Sequence, residues 1–188
     1  MDRREILKRA GLGSLALASF PMLATPALAD DDQNGKRAFT FVAVSKAGIV
    51  GGVDHWIIME GTGRFHPEGG GVTGRGIFVH FNAAPPGTPK PILSSGRWKA
   101  TKFVSYDHRI GTYGRIAPSI LEVLVTLLPD AGTPIKGATL RLICDVGPAG
   151  LDTGEPEGYK LTIPGAPFGT FTPLDPPVGI THIGTSDA

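Results

Sequence analysis

Apolar residues along this chain recur at every second position far more often than at every third or fourth, and that period predicts strands. Ala38 to Ser45 (AFTFVAVS) is the first such run, rich in aromatic and β-branched residues. The clearest alternation follows from Val53 to Asn82, predicted as one long hairpin: an arm VDHWIIMEGTGRF, a glycine-rich turn HPEGGG, and an arm VTGRGIFVHFN. On the first arm Val53, His55, Ile57, Met59, Gly61, Gly63 and Phe65 share a face, with Asp54, Trp56, Ile58, Glu60, Thr62 and Arg64 on the other. On the second, Gly76, Phe78, His80 and Asn82 oppose Ile77, Val79 and Phe81. The glycines at 61, 63, 74 and 76 lack side chains to pack and are expected to mark bends or barrel corners. Because both faces carry bulky apolar groups, one is expected inside a closed barrel and the other covered.

The rest of the chain continues the theme. Asn82 to Gly96 reads as a proline-rich crossing loop, Gly96 to Tyr106 as a strand, and Asp107 to Pro118 as irregular. Ser119 to Leu128 (SILEVLVTLL) satisfies two templates. Ser119-x-x-Glu122 before an apolar run is a capping-box signature of a helix, whereas Leu121, Val123, Val125 and Leu127 alternate. The next segment, Ala138 to Val146, alternates cleanly, so a paired strand is the economical choice for both. Tyr159 to Ile163 and Phe168 to Thr172 read as short strands, and Val178 to Ile183 as a closing strand beside the first. The sum is an all-β domain over residues 38–188: an antiparallel β-barrel of about eight strands, with a two-sheet β-sandwich as runner-up.

Residues 1–29 belong to a different pattern. Arg3, Arg4 and Lys8 precede a short apolar run from Ala10 to Leu23, and Ala27-Leu28-Ala29 offers a small-x-small exit before Asp30-Asp31-Asp32. The run is too short and too glycine-broken for a membrane span, which needs about 20 apolar residues. This head resembles a twin-arginine (Tat) export signal, Ser/Thr-Arg-Arg-x-Phe-Leu-Lys: Arg3, Arg4, Leu7 and Lys8 match, Ile6 stands for Phe, and Asp2 departs from it. The resemblance implies cleavage after Ala29, a disordered mature N-terminus over residues 30–37, the twin-arginine translocase as a partner, and a periplasmic or extracellular location in a bacterium or archaeon. It also implies a protein not anchored in the membrane after cleavage.

Charge and cysteine content narrow the function classes. The leader holds four of the 18 basic and two of the 17 acidic residues, leaving 14 and 15 and a net charge of −1. A chain so balanced has no basic footprint for nucleic acid. Cys144 is the only cysteine, so stability must come from the core and not from an internal disulfide. In general style the mature chain looks somewhat like small lipocalin-like or allene-oxide-cyclase-like barrels, and no residue role is carried over from that likeness.

Candidate chemistry is sparse. His55 and His80 lie on the two arms of one hairpin, with position 55 pairing roughly with 83, two or three residues from His80 and within reach of a shared ligand given a bulge; their structural alternative is a pair of hydrogen-bonded strand histidines. Glu60 falls on the opposite face, and His66 lies at the turn. No HxH, HExxH or CxxC spacing forces metal ligands together, so no metal ligand is assigned and the cofactor is left open. Tyr106-Asp107-His108-Arg109 is a polar knot at a strand end, with Tyr113 beyond it. Asp145, Asp152, Glu155 and Glu157 permit a calcium loop but match no EF-hand spacing. Gly-Arg followed by an apolar residue recurs at Arg64, Arg97 and Arg115, and more loosely at Arg75, which is either turn punctuation or a ring of cations at a barrel mouth. No Gly-x-Ser-x-Gly elbow, P-loop or dinucleotide fingerprint is present.

Three functions are compatible with this reading. The first is an exported barrel that binds a small apolar or amphipathic ligand, with Arg64, Phe78, Asn82, Arg97 and His108 as ligand-binding residues. The second is a cofactor-free or metal-assisted isomerase- or cyclase-like enzyme using His80 or His55 as base and Tyr106 or Arg64 to polarise the substrate. The third is a structural or adhesion module of the cell envelope.

Overall fold

The computed structural model describes residues 35–83, 90–108, 116, 118–145 and 153–185. They form a closed antiparallel barrel of eight strands joined in sequence order: β1 (Arg37–Val50), β2 (Val53–Phe65), β3 (Val72–Asn82), β4 (Ile92–His108), β5 (Ser119–Pro129), β6 (Ile135–Cys144), β7 (Gly158–Thr162) and β8 (Thr170–Thr185). β8 returns to pair with β1, so no sheet edge is left open. At the upper end lie the β1–β2, β3–β4, β5–β6 and β7–β8 connections. At the lower end lie the other three connections and both chain ends of the barrel.

Ser119–Pro129 is a strand: it pairs with β4 on one side and β6 on the other, and Leu121, Val123, Val125 and Leu127 all point into the core. The capping-box pattern fails because Ser119 is itself buried and Glu122 faces outward to Arg141. β4 is longer than expected. Ile92 to Ser95 and Asp107 to His108, read as loop, are paired strand. The two segments expected near the C-terminus are one strand, interrupted by a register shift between Val44 and Ser45 that leaves residues 174–177 outside the ladder.

The interior is filled through its middle. Phe41 sits between Trp98 and Tyr159, with ring centroids 5.8 and 5.6 Å away. Tyr159 is fully buried, and its hydroxyl donates to the Ile57 carbonyl at 2.9 Å, which satisfies the one polar atom the ring brings into the core. The hairpin glycines serve this packing, and they mark no bulge, for the β2–β3 ladder runs through eleven residue pairs with no register shift. Gly61 faces Gly76 and Gly63 faces Gly74 on the inner wall. A Cβ on Gly61 or Gly76 would collide with Trp98, and one on Gly63 or Gly74 with Phe39. Two glycine pairs therefore make two flat seats on which large rings lie directly against backbone, and Trp98 locks its seat by donating from Nε1 to the Glu60 carbonyl at 2.9 Å.

One seam is short. β7 and β8 share only two ladder pairs, Leu161 with Phe171 and Thr162 with Thr170. Below them side chains complete the closure. Ser45 Oγ donates to the Tyr159 carbonyl at 2.7 Å, Thr181 Oγ1 donates to the Gly158 carbonyl at 3.2 Å, and Glu157 accepts from the Thr181 N–H at 2.5 Å.

Candidate functional site

Register brings the two hairpin histidines together at the upper end. His55 faces Asn82 and His80 faces Ile57, so both project inward as diagonal neighbours; the pairing is one residue off the expected partner of position 55. Val50-Gly51-Gly52-Val53 holds this end of β2 with a two-residue turn in which both glycines have positive φ, 59° and 79°, the conformation a tight hairpin demands. Asn82 closes the other side: its Oδ1 accepts from the Asp54 N–H at 2.9 Å, and the Ala83 N–H donates to the Asp54 carbonyl.

The result is a direct contact. His55 Nδ1 and His80 Nε2 are 2.9 Å apart, with ring centroids at 5.1 Å. Two phenyl rings complete the surround. Phe168, from the β7–β8 connection, lies 4.3 Å from the His55 ring and 5.5 Å from His80, and Phe171 meets His80 edge-on at 5.4 Å. The loop bearing Phe168 is tied to β1 by the Gly48 N–H, which donates to the Phe168 carbonyl at 2.9 Å. Ile57 and Phe78, both buried, lie one inward position below the histidines and form the floor. Burial first, and the charge of His55 second, push the His80 imidazole down to about 4, so it is neutral through the physiological range.

When both imidazoles are neutral, the contact has a fixed hydrogen-bonding consequence. Whichever ring donates across the 2.9 Å contact, the remaining nitrogens, His55 Nε2 and His80 Nδ1, are one donor and one acceptor. Neither bonds to another described residue. The site thus offers a matched donor and acceptor beside two apolar rings.

The other expected residues lie elsewhere. Tyr106 sits at the lower end, twelve positions along β4 from Ser94, the partner of His80. There its ring packs 4.9 Å from Phe65 and beneath the Arg37 guanidinium, and burial raises its phenol, so it cannot act on a group held by the histidines. His108 is exposed beside it, with ring centroids 6.2 Å apart. Arg64 and Arg97 point outward from the barrel wall and are exposed, because their neighbours Phe65 and Trp98 take the inward positions. They form no ring at a mouth; Arg115, Arg109 and Tyr113 lie outside the described residues. His66 accepts from the Gly69 N–H at 2.7 Å and shapes the β2–β3 turn.

The acidic residues divide by role. Glu155 bonds Arg141 at 2.5 Å and Lys160 at 2.7 Å on the outer wall, which lowers its carboxyl. Glu157 is half-buried in the wall and accepts from the Asp145 and Thr181 N–H groups, both at 2.5 Å, yet burial outweighs those bonds and pushes it up to about 7. Asp152 lies outside the described residues. Among those described, no group of three or more His, Cys, Asp or Glu side chains converges as metal ligands would. Cys144 is buried, and burial pushes its thiol up to about 12, so it packs as a small apolar group. No family model, curated protein or solved structure matches this chain.

Proposed function

We propose that this chain is an exported binding protein that holds a small amphipathic molecule at the upper end of the barrel. The ligand's polar group meets His55 Nε2 and His80 Nδ1, and its apolar part meets Phe168, which packs on the buried Phe171. The observation that carries this reading is the 2.9 Å histidine pair enclosed by phenyl rings. A matched donor and acceptor suit a hydroxyl, a protonated carboxyl or an amide, each of which both gives and takes a hydrogen bond. With Trp98, Phe41 and Tyr159 filling the middle, the ligand is capped by the barrel end and not swallowed by its centre. Export rests on the leader, Arg3-Arg4 through Ala29, with the twin-arginine translocase as its partner.

A second reading is favoured by the same contact. A proton accepted from substrate by one imidazole has the other as its immediate hydrogen-bonded neighbour, the arrangement an isomerase-like enzyme uses for acid–base work. The two readings separate experimentally. Protein purified from its own compartment is analysed by native mass spectrometry, then titrated with a medium-chain alcohol and its carboxylic acid while the imidazole resonances are followed. Binding that shifts His55, His80 and Phe168, and weakens at least about tenfold in His80→Ala, supports the binding role. A recovered molecule chemically altered during incubation supports the enzyme. No retained molecule and unmoved histidine resonances would rule out both.

A further inference from the structure

The outer wall of β2, β3 and β4 carries a second site, unrelated to the histidine pair. The register places Arg75 directly opposite Lys99, with Thr62 flanking Arg75 and Thr126 flanking Lys99. One row below, Arg64 faces Thr73 and is the diagonal neighbour of Arg75. Arg64, Arg75 and Lys99 are all exposed, and none makes a salt bridge or hydrogen bond to a described residue. Glu60, the carboxylate nearest in register, faces Ile77 and pairs with none of them.

Like charges directly opposed across two strands oppose pairing. On the β5–β7 part of this wall Arg141 lies between Glu122 and Glu155, and Glu155 also holds Lys160. Arg75 and Lys99 are instead directly opposed, and neither diagonal neighbour of Arg75 on β2, Arg64 or Glu60, forms a salt bridge with it. The three cations also border a groove of about 530 Å³, lined by Thr62, Arg64, Thr73, Arg75 and Lys99 together with Val72, Ala100 and the Gly63 and Gly74 backbone. That volume is within the roughly 300–1,000 Å³ range of small-molecule sites and exceeds what one tetrahedral ion needs. An anion bridging Arg75 and Lys99 removes the repulsion and adds charge-assisted hydrogen bonds, with arginine offering a planar fork to tetrahedral oxyanions.

The geometry points to a binding site for a small polar molecule bearing a phosphate or sulfate monoester, held by Arg75, Lys99 and Arg64 with the Thr73 hydroxyl as an added donor. Backbone amide spectra of the full chain at low salt, titrated separately with glucose 6-phosphate, glucose 6-sulfate and uncharged glucose, test it. The expected result is saturable shifts confined to residues around 62–64, 73–75 and 99 with one or both esters and none with glucose; which ester binds tighter identifies the class. Arg75→Gln weakens binding at least about tenfold, whereas Lys136→Gln, the same charge change on exposed β6, leaves it within about twofold. Equal losses in the two variants, or shifts spread over all surface cations, would overturn the site. The histidine resonances are not expected to move, so this outcome is independent of the upper-end reading.

Discussion

The upper end of this barrel half-buries a histidine that resists gaining a proton, and the lower end half-buries a carboxyl that resists losing one. His80 is held at about 4 and Glu157 at about 7, each mainly by burial. The two have opposite consequences for stability. His80, depressed below its ordinary 6.5, contributes fully above pH 6.5, and that contribution is lost as pH falls through 4. Glu157, raised above its ordinary 4.5, contributes fully below pH 4.5 and loses its contribution as pH rises through 7. Across that window one slope offsets the other. The difference teaches that the same physical cause, removal from water, favours a neutral imidazole at one end and a neutral carboxyl at the other.

The largest expected effect removes what separates the ends. In Gly76→Ala the new Cβ meets the Glu60 carbonyl and the Trp98 ring, so the plug between the two sites must shift. Denaturant unfolding should show a loss of about 3 kcal/mol or more, with both ends perturbed together; a loss confined to one end would mean the middle does not couple them. Next in size, Glu157→Gln removes the lower-end titration. The variant should lose roughly 2 kcal/mol between pH 7 and 4.5 relative to its own value at pH 7, after allowance for solvent screening. A slope no steeper than that of the unmodified protein would contradict the assignment. His80→Gln should tilt the curve the other way, with stability falling by a similar amount as pH rises over the same window. The smallest effect is expected from Tyr106→Phe, which lies at the lower end. It should leave ligand affinity at the histidines within about twofold, and a tenfold change would join the two ends functionally.

How much of this was legible beforehand follows from what is local. Contiguity of the two arms and their turn was enough to bring His55 and His80 near each other, but their sharing a face depends on position 55 pairing with 82 and not 83, a one-residue register that alternation alone does not fix. Phe168 and Phe171 were not legible as their partners, since nothing near the hairpin announces a loop more than 80 residues away. The packing role of the glycines was not legible for the same reason: it is set by Phe39 and Trp98, which arrive from other strands. Ser119-x-x-Glu122 is a short-range helix signal that lost to long-range pairing on both sides. Tyr106 was placed on a strand end, but β4 contains two register shifts, after Ala100 and after Phe103, and its distance from the histidines depends on the whole ladder. Glu157 looked like one carboxylate among four, and only the closure of β8 beside it gives its half-buried position a purpose.

The most direct test of the upper-end account is nitrogen–proton correlation spectroscopy of the imidazoles from about pH 3 to 8. The account predicts that His80 titrates near 4 and is neutral at pH 7, with one imidazole proton shared across the Nδ1–Nε2 contact to His55. In His55→Ala the His80 midpoint should rise, since the neighbouring charge is gone, yet stay below 6.5 because burial remains the larger cause. A His80 that titrates near 6.5 in the unmodified protein, with no proton shared between the rings, would contradict it.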